Sequence, residues 1–183
     1  YQATDGWDAS AMHTEGRRMI TRIMDFCRRC IPGFENCYIL LTAPMVGVRA
    51  SRRILGEYML TEADVLSGMK FPDAVARNNW PPDIHSPAEG EGLLFKQDSF
   101  SADFVEIPYR SLVPLKVDNL LVAGRCISAT FEAQAAVRIS RTCHALGQAA
   151  GTAAVMAIEA GVTPRQLDGR AVRRELEASG FFL

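Results

Sequence analysis

Three cysteines, Cys27, Cys30 and Cys37, are the first residues whose type and spacing could do chemistry. A tetrahedral zinc site needs four ligands, and a Cys-x-x-Cys pair with one further cysteine falls short, His13 being the only nearby imidazole. A redox-active Cys-x-x-Cys opens a helix at an exposed site after a strand, whereas this pair lies near the end of a helical pattern, on its apolar stripe. The spacing therefore reads as buried thiols and no metal site. A hydrolase triad is no better supported, since there is no GxSxG elbow and only His13, His85 and His144 offer a base. Neither a GxGxxG fingerprint nor a GxxxxGK[ST] loop occurs.

The most unusual chemistry is in side chains that are nearly absent. Ala145, Gly147, Ala149, Ala150, Gly151, Ala153 and Ala154 follow one another in a helical segment. Each glycine inside a helix costs about 1 kcal/mol, so the pattern implies compensation, and close approach of the backbone to a flat partner would supply it. The start of such a helix, with unpaired N–H groups and a partial positive charge, suits an anionic ring edge or a phosphate. Tight helix–sheet packing without any ligand accounts for the same residues, and the pattern alone leaves both readings open.

The chain that must position these groups has 183 residues, 48% of them hydrophobic, which is enough for one domain or a domain and a half with a real core. A formal net charge of -1, with arginine pairs at 17–18, 28–29, 52–53 and 173–174, gives no basic footprint for nucleic acid. Five cysteines without an apolar leader point to thiols in a reducing, cytoplasmic setting, although the chain opens at Tyr1 with no Met and reads as truncated there. Thr142 to Ile158 carries no Asp, Glu, Lys or Arg, but His144, Gln148 and two threonines interrupt it and it falls short of the ~20 apolar residues of a membrane span. No membrane partner is expected.

Periodicity places the elements. Met19, Ile20, Ile23, Met24, Cys27, Cys30 and Ile31 recur at helical spacing, predicting an amphipathic helix over Thr14–Ile31 that Pro32-Gly33 stops. Tyr38–Thr42 and the segment "RRILGEYML" read as short strands, and Thr61-Glu62-Ala63-Asp64 as a capping box opening a helix that Gly68 ends. From Phe71 to Gln97 the Pro, Asn and Gly content predicts a long loop. Phe104–Arg110 alternates like a strand, and Val117–Ala123 is apolar enough for one covered on both faces. Residues 131–160 predict a short helix and a long one ended by Gly161, and Thr163-Pro164 opens a last helical section reaching Gly180.

Two blocks, "VGVRASRRILGEYMLTEADVLSGMKFPDAVARNNWPPDIHSP" and "NLLVAGRCISATFEAQAAVRISRTCHALGQAAGTAA", resemble the C-terminal half of FAD-dependent oxidoreductases related to the succinate dehydrogenase and fumarate reductase flavoproteins. The resemblance covers most of positions 14–180. It implies that the strand and glycine of "LLVAGR" return the chain to the nucleotide domain, and that the next helix points its N-terminus at the flavin pyrimidine. Gly124, Arg125, Ser128, Arg138, Thr142, Ala145, Leu146 and Gly147 are then the implied flavin contacts, with amides around Ala145, Leu146 and Gly147 stabilising charge on the reduced ring. Arg125 and Arg138 also fit ordinary ion pairs with Glu132 or another carboxylate. For a small-molecule substrate, the resemblance implies a site in the first of these blocks, where Arg49, Arg52 and Arg53 are available to hold a carboxylate and His85 to move a proton. A loop-surface role for His85, and a solvated strand position for one of Arg52 and Arg53, are the alternatives.

The expected architecture is a mixed α+β arrangement of the α/β class. Residues 1–110 are assigned to a substrate or cap domain and 111–183 to the return segment of an FAD-binding domain. Relatives open with a strand–GxGxxG–helix unit, which this sequence lacks. The leading expectation is therefore the C-terminal portion of an FAD-dependent oxidoreductase, transferring hydride only when joined to an N-terminal FAD-binding half. The alternative is a cofactor-free interaction or homo-oligomerisation module on the same scaffold.

Overall fold

The computed structural model describes residues 1–84 and 102–183, and the chain divides into two compact units, Tyr1–Arg52 and Arg53–Leu183. The first unit is built on one long helix, α1 (Gly6–Cys30). It begins eight residues before the helix expected from Thr14, because the Asp5 carboxylate accepts hydrogen bonds from the Trp7 and Asp8 amides at 2.9 and 3.0 Å and so caps the first turn. Arg28 and Arg29 lie in its last turn, where cations complement the helix dipole. No α1 residue is fully buried, and Met19, Ile23 and Phe26 are each more than half exposed. The strand expected at Tyr38–Thr42 does not form: these residues find no neighbouring strand among the described residues, and Leu40 and Leu41 stand open to solvent. A strand's hydrogen bonds need a partner, which apolar content cannot replace.

The second unit holds the core. "RRILGEYML" is not a strand but two isolated bridges, Gly56 to Pro114 and Leu60 to Ala129. Helix α2 (Glu62–Ser67) follows the expected capping box, with Thr61 and Asp64 exchanging side-chain to backbone bonds, and Gly68 closes it at φ 64°, in the left-handed region open to glycine. Strands β1 (Ala74–Asn78) and β2 (Val105–Pro108) pair antiparallel, Ala76 opposite Ile107 and Asn78 opposite Val105, with an irregularity between Ala74 and Ala76. β1 was hidden in sequence inside the Pro- and Asn-rich stretch, as its alanines carry little strand signal.

Helices α3 (Phe131–Val137), α4 (Ser140–Ala160) and α5 (Gly169–Ala178) complete the unit, and α4 and α5 both pack on β1. Between them, Pro164–Gln166 forms a short 3-10 turn. The core gathers Leu60, Val65, Val75, Ile107, Leu112, Leu146, Val172 and Leu176, all fully buried. At its edge the buried Glu106 carboxylate accepts from the Phe71 amide at 2.8 Å and from Arg173 Nη1 at 3.4 Å, with Arg77 Nε at 4.0 Å, tying β1, β2 and α5 together. Mixed helix with a small antiparallel sheet is the α/β-class architecture expected. The covered strand predicted at 117–123 is absent: these residues run without regular pairing, tied by the bond from Val122 N–H to Leu112 O at 2.9 Å, and Val117 and Leu120 are exposed.

Candidate functional site

Gly124, Arg125, Arg138 and Thr142, four of the implied flavin contacts, lie where the 3-10 turn Gly124–Cys126 and the α3–α4 junction meet. Gly124 adopts φ +77°, which any side chain would resist, and the position of a Cβ there lies 4.0 Å from Cys143 Cβ. Arg125 is exposed, and its carbonyl accepts from Gln134 Nε2 at 3.4 Å. Ser128 takes another role. It is fully buried, its N–H bonds Ser111 O at 3.0 Å, its carbonyl accepts from the Leu60 amide at 3.1 Å, and its Cβ is 2.8 Å from where a side chain on Gly56 would begin. It belongs to the packing between these segments rather than to a surface that a ring could lie on.

Arg138 resolves its two readings partly toward structure. Its Nη2 donates to Asp83 O at 2.6 Å and lies 3.6 Å from an Asp83 carboxylate oxygen, so Asp83 is a carboxylate partner. Two further contacts run parallel to this one: Arg141 Nη2 donates to Asn79 Oδ1 at 2.8 Å, and Thr142 Oγ1 to Asn78 Oδ1 at 3.1 Å. Asn78 in turn donates to Trp80 O at 2.8 Å, and the Arg141 guanidinium stands 5.8 Å from the Trp80 ring centre. Segment 78–83 is thereby latched across the start of α4. Asn78, Asn79, Trp80, Asp83 and Arg141 were not singled out by sequence; the signal was a pair of short amides just before two ring-constrained prolines.

The start of α4 differs from expectation. Its first residue is Ser140, so Ala145, Leu146 and Gly147 lie in the second turn with their amides committed to the helix, and Leu146 is fully buried. The ladder opens with Cys143 N–H to Ile139 O at 3.0 Å, leaving the amides of Ser140, Arg141 and Thr142 without an intrahelical acceptor. The Thr142 hydroxyl donates to Asn78 rather than capping the helix. The N-cap is Ile139, with no side-chain bond and no acidic residue in the first turn. By contrast Asp5, Thr61, Thr130 and Asp168 cap α1, α2, α3 and α5.

The two faces of α4 also separate cleanly. Thr142, Leu146, Ala149, Ala153 and Ala157 face the core at spacings of four and three. Gly147 and Gly151 are exposed, and a Cβ on either would meet nothing within 4 Å. Tight packing thus explains the alanines and leaves the glycines without a partner among the described residues.

A family model for FAD dependent oxidoreductases matches residues 1–176. The chain belongs to the FAD dependent oxidoreductase family. No curated protein and no solved structure gives a significant match. The family implies FAD as cofactor, and two features of this flavoprotein chain fit it: the bare amides of Ser140, Arg141 and Thr142 suit an electron-rich ring edge, and the open glycine face admits a planar surface at backbone distance.

Arg49 and Arg52 are exposed in the first unit, Arg53 is exposed at the opening of the second, and His85 lies outside the described residues. A separate cleft of about 400 Å³ beside the start of α5 contains Arg110 and Arg165. Arg110 is matched to Asp73 at 2.9 and 3.3 Å, and Arg165 to Glu57 and Asp118. Among the described residues no helix is long and apolar enough to cross a membrane, and no group of three or more His, Cys, Asp and Glu is placed to hold a metal ion.

Proposed function

We propose that this chain is the C-terminal portion of an FAD-dependent oxidoreductase related to the succinate dehydrogenase and fumarate reductase flavoproteins, with residues 111–183 closing the flavin site and residues 1–110 contributing to a substrate domain. It acts only when joined to a dinucleotide-binding half. The observation that carries this reading is the first turn of α4, uncapped and free of acidic residues, where the other four α-helices among the described residues are all capped.

When bound, FAD supplies the centre that exchanges hydride with a small organic substrate. The chain's own part is electrostatic and steric. The amides of Ser140, Arg141 and Thr142, at the positive end of a 21-residue helix, oppose negative charge placed before them, and the Arg141 cation adds to that field. Asn78 and Asn79 fix Thr142 and Arg141 in place, so the field is preorganised. Gly147 and Gly151 leave room for a flat group to lie on the helix and exclude water from it. Arg49, Arg52, Arg53 and His85 remain the proposed cations and proton carrier for the substrate.

The test is Gly147→Leu with Gly151→Leu. Because that face is open, the doubly substituted chain keeps its thermal unfolding midpoint, while the assembled flavoprotein loses its yellow colour on gel filtration. Full retention of flavin by the variant would sink the proposal. The exposed apolar residues of α1 favour the second reading, a cofactor-free interaction module, and it prevails if the protein stays colourless with excess FAD and its dinucleotide-binding half present.

A further inference from the structure

Two thiols of the second unit sit on elements that touch. The turn Gly124–Cys126 packs against α4, and Cys143 lies in the first part of that helix, 4.0 Å from where a Gly124 side chain would start. Cys126 is exposed and Cys143 half-buried, with Cys143 Sγ donating to Arg138 O at 3.4 Å. Burial pushes the Cys143 thiol pKa up, Arg125 pulls it down, and Cys126 pushes it up again. The other cysteines, Cys27, Cys30 and Cys37, all belong to the first unit.

We propose that Cys126 and Cys143 form a reversible disulfide, a thiol-modification site whose oxidant is a small-molecule disulfide of the glutathione class. The Cys126 thiolate, accessible to solvent, attacks one sulfur of oxidised glutathione, expelling one glutathione thiolate and leaving a mixed disulfide. Cys143 then gives its proton to solvent, and its thiolate attacks Cys126 Sγ, expelling the second glutathione. Two protein thiols are oxidised and one glutathione disulfide is reduced to two thiols, so electrons and protons balance. Because burial raises the Cys143 thiol pKa, the second step accelerates as pH rises, while the first depends on exposed Cys126. The bond fastens the Gly124–Cys126 turn to α4 beside its bare amides, so the redox state of the medium controls how freely that turn moves.

The experiment treats the full chain with oxidised glutathione and maps its peptides without reduction. The expected result is one linked peptide pair joining Cys126 to Cys143, lighter by two hydrogens and released by dithiothreitol. With Cys27→Ser, Cys30→Ser and Cys37→Ser combined, the titratable thiols fall from two to none and return to two on reduction. Cys143→Ser leaves a stable glutathione adduct on Cys126, and in the unsubstituted chain that adduct converts faster at higher pH. A persistent adduct with Cys143 still free, a bond between Cys126 residues of two chains, or two unreacted thiols each overturn the pairing. The map of the unsubstituted chain decides the matter even where the triple variant folds poorly.

Discussion

Helix α4 has two long faces made of nearly the same small residues, and they have opposite reasons for being small. On one, Ala149, Ala153 and Ala157 are buried against the sheet side of the unit, where a larger side chain has no space. On the other, Gly147 and Gly151 look into open space, where a larger side chain would meet nothing. Smallness on the first face is explained within the chain by packing. On the second it lowers helix stability with nothing in the described residues to offset it, so the compensation is sought in what lies against that face. The difference separates residues that build the fold from residues reserved for a partner, and composition alone cannot draw that line.

The largest test of this contrast is Ala153→Leu. Inserting a branched side chain at a fully buried site costs about 1–3 kcal/mol or more by overpacking, read as a lowered denaturant midpoint. If the chain tolerates this substitution without loss, the buried face is not close-packed. Next in size, Gly151→Ala and Gly147→Ala, whose methyls enter open space, each stabilise the chain by roughly 0.5–1 kcal/mol through helix propensity. A destabilisation at either glycine would show that the face is covered by the chain itself.

The last effect is confined to alkaline solution and probes the packed side alone. Burial pushes the Tyr109 hydroxyl, which donates to Pro164 O at 2.8 Å, up to about 12 from 10.0. Burial and the Asp64 carboxylate push Tyr58 up to about 12 as well. A raised folded-state value means the stabilisation is fully present below pH 10 and is lost as pH climbs through about 12. The two tyrosines are therefore expected to leave the denaturant midpoint unaffected below pH 10 and to lower it between pH 10 and 12, and Tyr109→Phe flattens that fall. An unchanged fall in Tyr109→Phe would remove this tyrosine from the account.

Signals that act over three or four residues were legible from sequence. The Thr61–Asp64 capping box, the Gly68 and Gly161 stops, and the Pro164 start all appear where local chemistry put them. These depend on one side chain and the backbone next to it, so no distant residue can overrule them. Strands were read less well. Tyr38–Thr42 and 117–123 are apolar enough for sheet but lack pairing partners among the described residues, while Ala74–Asn78 pairs with β2 despite weak propensity. A β-ladder is a property of two segments, and half of that information lies elsewhere in the chain.

The site divides in the same way. Sequence by itself established the small-residue helix, the Gly124 turn and the family resemblance that made flavin the expected ligand. Only the tertiary structure decided that Ser128 is interior, that Asp83 pairs with Arg138, that the bare amides belong to Ser140, Arg141 and Thr142, and that the glycines rather than the alanines stand open. The physical reason is that side-chain size and helix period are written locally, whereas the face a helix turns inward is chosen by what packs against it, here β1 and the latched segment 78–83.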